Sequence, residues 1–149
     1  MMAAMANIKR KANAHWTGDL RSGRGELSTP SGVLKDTAYS YHTRFEDGQG
    51  TNPEELVAAA HAGCFTMAFS NVLKSHGHEP RDLHTEATCV MNQVPGGFKL
   101  AEMQLVVRGS ADGLDQEGFQ RLAEEAEQGC PISGALRNNL AISVQATLE

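Results

Sequence analysis

Three residues in this chain carry a side chain that can act as a nucleophile at neutral pH once ionised: Cys64, Cys89 and Cys130. Their surroundings differ. Cys130 lies between Gly129, which ends one predicted helix, and Pro131, which starts a short one. Backbone N–H groups and the dipole at a helix start stabilise a thiolate and lower its pKa below the free value of about 8.5. The same local pattern also suits a buried cysteine at a tight corner. Cys64 sits deep in an apolar helix between Gly63 and Phe65. Burial raises a thiol pKa and makes it inert, so Cys64 reads as a core residue unless a cation reaches it. Cys89 is on the apolar face of an alternating strand and reads as core.

Two charged residues and one histidine have spacings worth weighing. Arg44 offers a permanent charge and a fork of donors, and Glu54 can hold such a fork bidentately. By themselves they read equally as a surface ion pair and as a helix-start carboxylate placed for the dipole. His61 and Cys64 are an i, i+3 pair on one helix. That spacing suits half of a metal site or a Cys–His nucleophilic pair. There is no C-x-x-C and no clear third or fourth ligand, so no metal is expected. Phe65, Met67, Phe69 and His61 are candidates for an apolar substrate pocket; the aromatic and methionine residues read equally as helix core. His15, His42 and His84 read as strand-surface or packing residues.

The elements that must hold these groups in place follow from periodicity and turn chemistry. Short strands are predicted at His15-Trp16-Thr17, Gly25 to Thr29 and Tyr39 to Phe45, joined by Gly- and Pro-bearing turns. A long helix follows. Asn52 or Thr51 caps it, Pro53 fits its first position, and Glu54 and Glu55 suit its positive end. It runs to about Ser75, with Gly77 as the stop. Val57 to Phe69 is nearly all small or apolar, which predicts a buried helix that closely crosses a neighbour, from this chain or a second one. Leu83 to Met91 and Phe98 to Val107 form a hairpin around Pro95-Gly96-Gly97. Leu83, Ala87, Cys89 and Met91 share one strand face; Ala101, Met103, Leu105 and Val107 share another. A second helix spans roughly Asp115 to Gln128, with Phe119, Leu122, Ala123 and Ala126 inward and Glu124, Glu125 and Glu127 in water. A short helix and a last strand, Leu140 to Leu148, complete an α+β pattern: N-terminal antiparallel strands, a long central helix, a β-hairpin, two further helices and a C-terminal strand.

The chain has 149 residues, with 13 basic and 18 acidic side chains and a formal net charge of −5. This suits a single domain over 1–149, with 1–8 as a flexible arm. A domain of that size buries roughly 70% of its unfolded surface and needs no disulfide or metal to fold. The acidic balance disfavours nucleic-acid binding, and Lys9, Arg10 and Lys11 are too few to reverse it. No apolar run is expected to reach membrane-spanning length, and no export signal is visible, so a cytoplasmic location is expected. In a reducing compartment the cysteines are more naturally redox-active, catalytic or buried than structural.

Several stretches together carry a resemblance. Thr43-Arg44-Phe45-Glu46 is followed by Gly50-Thr51-Asn52-Pro53-Glu54-Glu55-Leu56, then by Ala59-Ala60-His61-Ala62-Gly63-Cys64-Phe65. His15-Trp16-Thr17-Gly18-Asp19, Ser28-Thr29-Pro30-Ser31-Gly32-Val33-Leu34 and Gly129-Cys130-Pro131-Ile132-Ser133 complete the pattern. From about Lys9 to Leu148 the chain resembles the OsmC/Ohr family, the osmotically inducible and organic hydroperoxide resistance proteins, and within it the OsmC branch. The resemblance implies an OsmC-like fold assembled as an intertwined homodimer. It implies a thiol-dependent peroxidase that reduces organic hydroperoxides. Cys64 would be the peroxidatic cysteine and Cys130 the resolving one, joined in a disulfide, with Arg44 and Glu54 assisting. No bound cofactor is implied; an external dithiol of lipoyl type, free or on a lipoylated protein, would be the reductant. Two rival readings remain: a Cys–His hydrolase or acyltransferase using Cys64 and His61, and a non-enzymatic small-molecule binding module.

An unbroken helix would separate Glu54 from Cys64 by about 15 Å along its axis. Either that helix breaks, or Arg44 and Glu54 of one chain serve Cys64 of another.

Overall fold

A computed structural model describes residues 7–149. Six residues of the expected arm, 1–6, lie outside the described residues; 7 and 8 are exposed. The chain divides into two compact units, the first ending at Pro53 and the second spanning Glu54–Glu149.

The first unit is a three-stranded antiparallel sheet in chain order: β1 (Asn13–Thr17), β2 (Arg24–Ser28) and β3 (Thr37–Tyr39). Gly25 is paired with both Trp16 and Tyr39. A Cβ there would stand 2.4 Å from the Tyr39 ring and 2.6 Å from the Trp16 ring, so only glycine lets the two aromatics meet over this strand. The ring centroids of Trp16 and Tyr39 are 5.5 Å apart. The third strand is shorter than its composition suggests. It stops at Tyr39, and Tyr41–Phe45 forms a short helix, α1. The cause is Ser40. Its hydroxyl accepts from the Thr43 N–H at 3.2 Å while the Thr43 hydroxyl accepts from the Ser40 N–H at 2.8 Å. This reciprocal cap outweighs the β-preference of Tyr41, Thr43 and Phe45.

The second unit is built around α2 (Pro53–Ser75), a single unbroken helix. Gly77 just beyond it adopts φ +83°, the left-handed conformation that ends helices. By length and composition alone α2 is apolar enough to cross a membrane, contrary to the expectation from the sequence. Its inward residues Phe65, Phe69 and Leu73 are instead packed in the core of the unit.

The partner of α2 is a second three-stranded sheet, ordered β4 (Pro80–Val94), β5 (Gly97–Ala111), β6 (Ala141–Leu148). β4 and β5 form a long antiparallel hairpin, and β6 lies parallel to β5. Met103, Leu105 and Val107 face the core. Ala101 does not continue that row in register. The pairing steps from Val90–Glu102 to Met91–Leu100, so Ala101 is the extra residue of a bulge.

α3 (Gln116–Gly129) is capped by Asp115, whose carboxylate accepts from the Gly118 N–H at 2.8 Å. It brings Phe119, Leu122, Ala123 and Ala126 into the core. Gln116 and Gln120, one turn apart, donate to the Ala146 and Val144 carbonyls of β6. The same two amides accept from the Leu148 and Ala146 N–H groups. Helix side chains thus satisfy an edge that would otherwise offer backbone for strand addition. Glu127, expected in water, is only 7% exposed. Arg137 explains it: its Nη2 is 2.9 Å from the Glu127 carboxylate. α4 (Pro131–Leu136) follows α3 after the single residue Cys130.

Candidate active site

Cys64 is half-buried on α2, and Cys130 is fully buried at the joint between α3 and α4. The fold brings these sulfurs, distant along the chain, to 3.1 Å, with the Cys130 thiol donating to Cys64. Both are free thiols. A disulfide bond is about 2.05 Å long, so roughly 1 Å of closure joins them. Pro131 at the first position of α4 is what turns the chain so sharply after Gly129. Burial pushes the Cys64 thiol above its ordinary pKa. The Ile132 N–H, donated to the sulfur from the start of α4, pulls it back, and the Cys130 sulfur pushes it up again. A cation brought to this sulfur would favour the thiolate.

His61 makes no hydrogen bond to Cys64 among the described residues. It is completely buried, and its Nε2 is 2.7 Å from the Ser133 hydroxyl on α4. Its Nδ1 is buried and makes no hydrogen bond among the described residues. Burial holds the imidazole pKa below its usual value, against an opposing pull from Glu127. The hydrogen bond that a Cys–His hydrolase pair uses is thus absent between Cys64 and His61. Among the described residues no group of three His, Cys, Asp or Glu side chains is placed to hold a metal ion.

The pocket candidates separate. Phe65 and Phe69 are fully buried core residues, with ring centroids 5.8 Å apart, and Phe69 meets Phe119 at 4.9 Å. Met67 is 77% exposed on the opposite side of α2. Two helical positions are about 200° apart, so residues 65, 67 and 69 cannot line one pocket.

Arg44 stands in the last turn of α1 in the first unit. Its guanidinium carbon is 5.4 Å from the Phe45 ring centroid. It borders a cavity of about 60 Å³ lined also by Trp16, Tyr39, Tyr41 and Phe45. Glu54 is in the first turn of α2, in the second unit, where its charge and, more strongly, burial raise the Cys89 thiol pKa. Cys89, on β4, is half-buried against the core.

Three polar residues near the cysteines make partnerships that no local sequence pattern states: Ser133, Glu127 and Arg137. The Arg137 guanidinium reaches back to both the carboxylate and the main-chain carbonyl of Glu127, at 2.9 and 3.0 Å. This closes the segment that carries Cys130 on itself.

Residues 46–145 match the family described as OsmC-like protein. The chain is 40% identical over 138 residues to Peroxiredoxin OsmC of Escherichia coli, covering 93% of this chain and 96% of that one. It is 33% identical over 127 residues to the organic hydroperoxide resistance protein OhrB of Bacillus subtilis, covering 84% and 91%. The crystal structure of that OhrB superposes with a TM-score of 0.71 at 32% identity, covering 91% of this chain and 97% of that one. An OsmC structure from Legionella pneumophila superposes at 0.72 with 28% identity, covering 95% and 98%. With both the sequence and the fold in agreement over nearly its whole length, this chain belongs to the OsmC-like family.

Proposed function

We propose that this protein is a cysteine-based peroxidase that reduces organic hydroperoxides to alcohols. The observation that carries the reading is the 3.1 Å approach of Cys64 and Cys130. The names of its relatives, a peroxiredoxin and an organic hydroperoxide resistance protein, support the same reaction class. The Cys64 thiolate attacks one oxygen of the hydroperoxide; the O–O bond breaks, and the departing alkoxide takes a proton to leave as the alcohol. Cys64 is then a sulfenic acid. The Cys130 sulfur attacks it, expelling water and leaving a Cys64–Cys130 disulfide. A dithiol reductant of lipoyl type reopens that bond by thiol–disulfide exchange, and no bound cofactor takes part.

Cys64 is raised by burial, so the reaction needs a cation to hold its thiolate. Arg44 takes that role in our reading, and Glu54 orients it. The apolar rings around Arg44 suit the organic part of an alkyl or aryl hydroperoxide. α2 is unbroken, which favours the across-chain arrangement: Arg44 and Glu54 of one chain serving Cys64 of a second copy in a homodimer.

The chemistry is tested by intact mass after one equivalent of cumene hydroperoxide. Loss of two hydrogens, mapped to a Cys64–Cys130 link, is the expected result. Oxidation of Cys64 with Cys130 left as a thiol would overturn the proposed resolution step. Cumene hydroperoxide left unconsumed would overturn the peroxidase.

A further inference from the structure

Four inward positions of α2 fall at successive i, i+4 steps: His61, Phe65, Phe69 and Leu73, all fully buried. Three are large apolar side chains. The fourth is a histidine whose only hydrogen bond among the described residues is to Ser133, itself fully buried. Burying polar groups costs free energy even when they are paired, and more when one nitrogen is left over. Packing alone would be served better by another leucine. The exception sits where the Cys130 segment docks.

That segment has little to hold it by itself. α4 has six residues, too few for a helix that stands without tertiary support. Cys130 makes no side-chain cap bond at its start. Besides the packing of Cys130, Ile132 and Leu136 on the core, two polar side-chain ties fasten it. Arg137 ties its far end to Glu127 on α3, and Ser133 ties its middle to His61 on α2. Cys130, Ile132 and Ser133 thus all dock on α2 within the one turn from His61 to Cys64.

Resting on the peroxidase reading, we infer that His61 and Ser133 are positioning residues for the second chemical step: their buried hydrogen bond pins the Cys130 segment so that the Cys64 sulfenic acid condenses rather than oxidises further. A sulfenic acid has two fates here. It condenses with the Cys130 thiol, releasing water, or it takes an oxygen atom from a second hydroperoxide, becoming a sulfinic acid as another alcohol leaves. The first fate is intramolecular, and its rate depends on how closely the thiol is held. The second depends on hydroperoxide concentration. Loosening the pin slows the first and not the second; the Ile132 N–H on the Cys64 sulfur belongs to the same segment, so the initial oxidation of Cys64 is followed as a separate phase.

The test compares Ser133→Ala with the wild type and with Ser133→Thr, which keeps the hydroxyl. Rapid mixing with cumene hydroperoxide reads the two steps, and intact mass reads the products. In Ser133→Ala, disulfide formation should slow on the order of tenfold. The sulfinic product, heavier by about 32 Da, should rise in the same proportion at high hydroperoxide, while the first oxidation of Cys64 changes far less than the disulfide step. Ser133→Thr should restore the partition. His61→Leu guards against a folding artefact. It fills much of the same space but leaves the buried Ser133 hydroxyl without its partner, so its fold is checked by circular dichroism, and the folded protein should give the same excess of sulfinic acid. Wild-type partition in both Ser133→Ala and His61→Leu would overturn the inference, as would a Ser133→Ala defect that the hydroxyl of Ser133→Thr does not repair in a folded protein. Absence of any Cys64–Cys130 disulfide in the wild type would instead overturn the peroxidase reading beneath it.

Discussion

The two faces of α2 contrast sharply. On one, Phe65, Phe69 and Leu73 are sealed in the core and His61 is buried against Ser133 of α4. On the other, charge is confined to the ends of the helix, at Glu55 and Lys74, and between them the exposed residues are Ala59, Ala60, Gly63, Met67 and Asn71. Four of those five are small or apolar. An ordinary surface helix carries charge on its outer face. The difference teaches that the inside of this helix is completed within one chain, whereas its middle turns present an uncharged outer face that the proposed homodimer would cover. A second copy is the occupant that the proposed division of Arg44, Glu54 and Cys64 requires.

Substitutions can break that contrast from either side. The largest effect is expected inward. Phe69→Ala removes a ring packed against Phe65 and Phe119 and should cost about 3–5 kcal/mol in denaturant unfolding. A loss below about 1 kcal/mol would mean that the core face is far less tightly packed than the contacts imply. Outward, Met67→Asp should leave the chain folded, since its site is exposed within the chain, but light scattering should report the 16.0 kDa single chain in place of a dimer. A wild-type dimer that survives a charge at this position would place the second copy elsewhere, and with it the source of the cation for Cys64.

Much of this contrast could be read from one dimension, and the failures have definite causes. The helix from Pro53 to Ser75 was legible because start signals, stop signal and composition agree. Cys64 and Cys130 stood out by residue type, but their pairing needed family resemblance, because no local pattern states which distant residues meet. Phe65, Met67 and Phe69 were grouped by nearness in sequence. The helical period instead separates Met67 from the two phenylalanines. Tyr41 to Phe45 is rich in strand formers, yet the cap between Ser40 and Thr43 settles it as helix. Glu127 falls four residues after Ala123, on the buried stripe of α3, whereas Glu124 and Glu125 face out; Arg137, beyond the next helix, reaches back to pair with it. The partner itself leaves no trace in periodicity, and neither does the bond between Ser133 and His61.

The smallest expected effect sharpens the outer face most. Glycine inside a helix is less stable than alanine by roughly 0.5–1 kcal/mol. At Gly63 no atom of the chain lies within 4 Å of an added Cβ, so nothing in one chain demands glycine there. A demand would come only from a second backbone lying against this turn. Met67 stands one turn further along the same face, and its long exposed side chain would hold a partner backbone away from Gly63. Gly63→Ala should therefore raise unfolding stability by about 0.5–1 kcal/mol and leave the dimer intact. Loss of stability that deepens on dilution would show the opposite geometry, with a second backbone seated directly on Gly63 and Met67 turned aside.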